Sequence, residues 1–287
     1  MLTTLLQHTV FGIVTGSILL LGSIGFSMTF TVKRFLNIGH AELLTTAAYV
    51  AYGCNVLLGW NLFYSGVVSV VVTTLLGLAI AQWLYKPMEH HTPLIMLFVS
   101  VGVAFALHGV LEFFAGPKIR SFDLGIHPAY KVMGVPLFTP VEVIVVGIAL
   151  ASVIFLHLLL TRTKVGKAFR AMSTQSILAQ TKGIDTDRIS IFIWIYSSAM
   201  AAIAGILLAM VTSVNPDLGW AQLLIILAAT VMGGLGSVYG VMIGAILIGL
   251  SMDIGVIFLP AGYRPAIAFV LIIIMLIFKP KGIFGGE

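Results

Sequence analysis

Imidazoles and carboxylates set inside apolar runs are the groups with chemistry to offer here, and they are few. His40 and Glu42 stand in the stretch Asn37-Ile38-Gly39-His40-Ala41-Glu42, where a polar turn enters an apolar segment. Asn37 suits a helix N-cap, and His40 and Glu42 suit either pairing with neighbouring helices or lining a polar path. His108 and Glu112 lie four apart on one helical face and read as a satisfied interfacial pair; two such groups are too few for structural zinc. Asp253 is an isolated acid late in the chain, a functional candidate by its type, though placed toward the headgroups. Asn215-Pro216-Asp217 reads as a turn and cap. Bond chemistry finds no footing. Gly22-Ser23-Ile24-Gly25 has no histidine placed as its base, and the G-x-S-x-G, H-E-x-x-H and C-x-x-C patterns are absent. The glycine-rich run at 233–240 lacks the Lys-Ser/Thr of a phosphate loop and is flanked by apolar helices instead of strands. The expectation is therefore a chain without catalytic, cofactor or metal sites.

The elements that position these groups follow from composition. Of 287 residues, 60% are hydrophobic and 9% charged, against roughly 25% charged in a soluble domain. Apolar runs of about twenty residues make it a helical membrane protein, and the period-2 alternation of a membrane barrel is missing. Spans are expected at about 5–30, 40–58, 62–85, 94–114, 141–161, 190–212, 240–258 and 264–278. This is an all-α polytopic fold of about eight full spans, one domain over 1–287, plus a short broken helix at 221–233. Thirteen helical residues reach only about 20 Å, so that piece either re-enters or is completed by the glycines after it. The single cysteine, Cys54, is expected to pack inertly, and no Lys or Arg precedes the first apolar run as a cleavable leader would require. The loop at 115–140 is expected to be external and to hold a small hairpin or an ordered loop.

The longest polar run, 161–190, carries six of the fifteen basic residues. As a helix it puts Lys164, Lys167 and Arg170 on one side and Val165, Phe169 and Met172 on the other. Such a helix lies on lipid or docks against another protein. Placing it in the cytoplasm, with the crossing version of 221–233, gives eleven basic residues inside against four outside. The N-terminus is then outside and the C-terminus inside. With the charges serving topology, nucleic acid is not an expected partner. Small residues repeat four apart in Ser197, Ala201, Gly205, Ala209 and Ser213, in Gly236, Gly240 and Gly244, and in Gly12 and Gly16. These are faces for close helix packing, within the subunit or against a second one.

Three patterns in order resemble the membrane subunits of ABC importers of the branched-chain (hydrophobic) amino-acid class. Thr163 to Ala171, then Ala179 to Arg188, is similar to the loop T-x-x-G-x-A-x-R-A … A-x-x-x-G-I-[ND]-x-x-R. Met232 to Ala245 is similar to the family's glycine-rich segment, and Lys279 to Gly285 to its closing R/K-P-x-G-[LI]-F-G. Where the family has N-[FM]-A-H-G-E, this chain keeps Asn37, His40 and Glu42 but exchanges Gly and Ala between them. The resemblance implies that 161–190 couples to a cytoplasmic ATPase through Gly166, Phe169, Arg170, Ala171, Ala179, Gly183 and Ile184. It implies a translocation path that the polar and glycine-rich residues border, here Asn37, His40, Glu42, Asn215, Gly233, Gly234 and Gly236. It implies further partners: a second, homologous permease and an external solute-binding protein, with ATP held by the ATPase subunits and this chain in a bacterial inner membrane. Sister systems that take amides and urea, and a secondary transporter or channel, stand as alternatives.

Overall fold

The computed structural model describes residues 2–122, 128–132 and 135–284. Helix α1 (Leu2–Lys33) leads into α2 (Gly39–Tyr52), which one π turn, Gly53–Leu57, extends. α3 (Leu62–Ile80) runs on through a π turn at Ala81–Tyr85 into the one-turn α4 (Lys86–Met88). Next come α5 (Pro93–Ala115), an antiparallel hairpin of β1 (Tyr130–Val132) and β2 (Val135–Phe138), and α6 (Pro140–Arg162). The short α7 (Lys164–Thr174) and α8 (Ser176–Thr181) precede α9 (Thr186–Val211), α10 (Leu218–Gly233), α11 (Val238–Gly255) and α12 (Arg264–Phe278). Among the described residues, seven helices are long and apolar enough to cross a membrane, and Leu218–Gly233 is a shorter apolar one. The molecule is an all-α polytopic membrane protein. Its small hairpin lies in the expected 115–140 loop, of which 123–127 and 133–134 fall outside the described residues.

Starts and stops have local causes. Proline opens α5, α6 and α12, where a missing N–H costs nothing. Thr139 and Glu142 cap α6 reciprocally, and the Asn61 side chain accepts from Phe63 N at the start of α3. Interior contacts depend on small residues, because lipid supplies no hydrophobic force between helices. α1 and α9 form the centre, with α11 along α1, and α2 and α3 along α9. A Cβ on Gly205 would meet the Leu44 carbonyl of α2, and one on Gly249 would meet the Gly16 backbone of α1. Gly244 rests equally closely on Ala229 of α10. The small-residue faces are thus consumed inside the subunit.

One end of the bundle gathers the basic loops. Lys33 pairs with Glu89 at 2.5 Å, and Lys86 with Asp187 at 3.0 Å. The Arg34 guanidinium donates to Ser173 O at the close of α7 (2.7 Å). Gly236 lies beside Thr31, and Ile283 N donates to Met232 O at 2.9 Å. The 161–190 segment, the glycine-rich turn and the C-terminal stretch therefore share the end at which α1 stops. The chain turns at the opposite end, at the bridge between Arg120 and Val214, and α10 begins within the bundle beside Ala41 and His108 and runs back to the basic end. Its sixteen residues span about 24 Å. Gly233–Ser237 does not complete that passage; Gly234 (φ 105°) and Gly236 (φ 94°) make a tight turn after it.

Candidate functional site

At the basic end, Thr163 sets the direction of α7: its hydroxyl donates to Leu159 O (2.6 Å) and accepts from Gly166 N (3.0 Å). Gly166 lies so close to the Leu159 and Leu160 backbone that a side chain has no room. The amphipathic reading of α7 holds, with Lys164, Lys167 and Arg170 exposed and Phe169 and Met172 buried. The apolar side, however, is covered by the chain's own core, Phe169 joining the main cluster. Ala179 is buried too, Ala171 and Ile184 are half-buried, and Gly183 is exposed in a left-handed turn (φ 83°). The apolar side chains this end turns outward sit one helix later, Ile177 (81% exposed) and Leu178 (53%) on α8. Sequence periodicity passed over them because a six-residue helix is too short to show a face.

In the membrane interior, Asn37, His40 and Glu42 part company. Asn37 does not cap α2; its Oδ1 accepts from the Tyr85 hydroxyl at 2.8 Å, and Ile38 stands at the cap without a side-chain bond. His40 ties α1 to α9: Nε2 is 2.9 Å from Gly22 O, Nδ1 is 3.5 Å from Ser197 Oγ, and Phe26 meets the ring edge-on. The hydroxyls of Ser197 and Thr29 both reach Gly25 O (2.8 and 3.0 Å), and a Cβ on Gly25 would strike the imidazole. Ser23 is fully buried, with its hydroxyl 3.5 Å from Ile226 O, a packing role.

Glu42, two residues after His40, points to the other side of α2. Its carboxylate is fully buried and 3.4 Å from His108 Nδ1 of α5; His108 Nε2 is in turn 3.8 Å from Asp217 Oδ1 at the start of α10. The expected His108–Glu112 pair is not formed: Glu112 is exposed, and His108 looks across to Glu42. Trp220 and Phe105 stand beside this row, their rings 5.3 Å apart, with Trp220 6.2 Å from the His108 ring. Gly219 fits against the Ala41 carbonyl and donates its N–H to Thr45 Oγ1 at 3.0 Å, which seats α10 on α2. Asn215 is half-buried beside this cluster in sequence, its Nδ2 3.4 Å from Ser213 Oγ. Gly233, Gly234 and Gly236 lie at the far end of α10. Asp253 is held by Arg264 at 2.5 Å, an ion pair between α11 and α12. Among the described residues, no three His, Cys, Asp or Glu converge as metal ligands.

Comparison with known proteins decides what this arrangement belongs to. Residues 8–278 match the model of the family described as branched-chain amino acid transport system / permease component. The chain belongs to that family. It is 27% identical to the high-affinity branched-chain amino acid transport system permease protein LivH of Escherichia coli (strain K12), covering 98% of this chain and 95% of that one. It is 28% identical to the high-affinity branched-chain permease BraD of Pseudomonas aeruginosa, with the same two coverages, 98% and 95%. With the probable branched-chain permease LivH of Methanocaldococcus jannaschii it shares 29% identity over 96% of its length and 91% of the other's. A branched-chain amino-acid permease component is thus the role of this membrane protein, and the secondary-transporter alternative falls away.

Proposed function

We propose that the chain is one of two permease subunits of an ATP-driven importer in a bacterial inner membrane. The family match over residues 8–278 carries this reading, and the build of the basic end supports it. There α7 is seated on its own subunit, while α8 presents Ile177 and Leu178 between exposed Arg170 and Gly183. A cytoplasmic ATPase groove takes those apolar side chains, and α7 passes its movement to α1 through the bond from Arg34 to Ser173. ATP stays on the ATPase, this chain does no bond chemistry, a solute-binding protein delivers substrate from outside, and a homologous permease completes the path. The N-terminus faces outward and the C-terminus the cytoplasm, in keeping with the charge asymmetry.

The test uses the assembled complex in proteoliposomes with loaded binding protein. Ile177→Asp and Arg170→Glu lower stimulated ATP hydrolysis at least about tenfold, the loss of roughly 1.4 kcal/mol of coupling contact, with membrane insertion unchanged. Full stimulated hydrolysis in both variants rejects the coupling role.

A further inference from the structure

We propose that Glu42, with His108, Asp217, Phe105 and Trp220, forms a receptor for the primary ammonium group of an aliphatic solute. This rests on the importer reading and adds to it the group by which the permease itself recognises its cargo. Three observations converge. Glu42 is fully buried within the bundle, where the Thr45 hydroxyl and His108 are its polar neighbours, and neither of its oxygens has a well-aligned hydrogen bond. A carboxylate withdrawn from water is retained only beside a cation and hydrogen-bond donors. His108 at 3.4 Å and the Thr45 hydroxyl meet these needs in part and leave acceptor capacity on the carboxylate. An ammonium brings three N–H donors to a carboxylate that can accept about four, whereas an imidazolium offers one on the facing side.

The surroundings suit the rest of such a solute. α2 packs against both α5 and α10 and forms a floor between them. Phe105 of α5 (61% exposed) and Trp220 of α10 lie in ring contact with each other and Trp220 with His108, which puts aromatic and apolar surface beside the row. Asp217, whose side chain is 75% exposed, adds negative charge at the open rim. Tyr49, two turns along the same face of α2 from Glu42, has a buried hydroxyl without a partner. A neutral amide or urea gains nothing from Glu42, and a free carboxylate is repelled by two acids. An incoming ammonium displaces the His108 ring from Glu42 toward Asp217.

Four probes that share one branched carbon skeleton test this on the assembled, detergent-solubilised complex without binding protein. They are L-leucine, isoamylamine, 4-methylpentanoate and isovaleramide. Leucine and isoamylamine raise the Tm by about a degree or more at high occupancy, and the carboxylate and amide do not. Glu42→Gln abolishes the amine response, and Trp220→Ala raises the half-saturating concentration several-fold. An absent amine response in the wild type, equal responses to the carboxylate or amide, or an unchanged response in Glu42→Gln overturns the proposal. Should Glu42→Gln fail to assemble, the ranking of the four probes on the wild type and on Trp220→Ala decides alone. ATP-driven leucine uptake by the wild-type complex reports separately on the importer reading: its absence removes that reading whatever the probes show.

Discussion

Asp253 and Arg264 show how far a residue's type carries before its neighbours are known. An acid inside a membrane helix reads as functional, yet Asp253 is spent on tying α11 to α12. Arg264→Ala leaves that acid buried without its cation and costs about 2 kcal/mol. This lies below the 3–5 kcal/mol of a wholly buried pair because the Arg264 side chain is 42% exposed. The double variant Asp253→Asn/Arg264→Ala costs less than Arg264→Ala, and thermal melts of the wild type, the two single variants and the double measure the coupling. His40→Leu removes the second hydrogen bond on Gly22 O and lowers stability by about 0.5–1.5 kcal/mol, read in the same melts. His108 and Asn37 mark where sequence reasoning stops. Spacing rules find partners on the same helix, as Glu112 is for His108. The partners adopted, Glu42 and Tyr85, lie 66 and 48 positions away, beyond any local pattern.

Elements were more legible than pairs, for a physical reason: in a membrane, every backbone N–H and C=O must find its partner inside the helix. Apolar length therefore announces a span directly: seven of the eight expected spans are helices long and apolar enough to cross, and 40–58 is the shorter α2 with its π turn. What length does not announce is which neighbour a face meets. The apolar side of α7 was visible at helical spacing, but only the packed chain shows it covered by the subunit's own core. The glycine ladders were visible too, and packing assigns them to α1 with α11, α9 with α2, and α10 with α11. Gly205→Val forces α9 off the Leu44 carbonyl and costs about 1–3 kcal/mol, seen as a lower Tm in detergent. Gly183→Ala strains a left-handed turn by about 1–2 kcal/mol, enough to shift α8 without unfolding the spans. Crosslinking from Ile177→Cys to the ATPase then falls while insertion is unaffected.

At the scale of the whole molecule the two ends differ in charge, and the proposed orientation in the bilayer rests on that difference. In a Cys54→Ser background, Lys118→Cys reacts with an impermeant maleimide on intact cells, and Lys182→Cys reacts only after the membrane is opened. The reverse pattern inverts the topology and removes the ATPase from reach of α8. Between the two ends, α1 and α9 act as the rigid centre, held by His40, Ser197 and Thr29 around Gly25. The α2, α5 and α10 group carries the polar row of Glu42, His108 and Asp217 at its side.

The backbone bonds from Ile283 and Phe284 to Met232 and Gly233, with Gly282 against Gly234, bind the close of the chain to the bend between α10 and α11. That bend has its own bonds, such as Ser237 N to Gly234 O, but lacks this outer clasp until 282–284 have emerged from the ribosome. A polypeptide stalled or cut just after α12 would thus insert its helices and still leave the bend slack, open to proteases that the finished protein turns away.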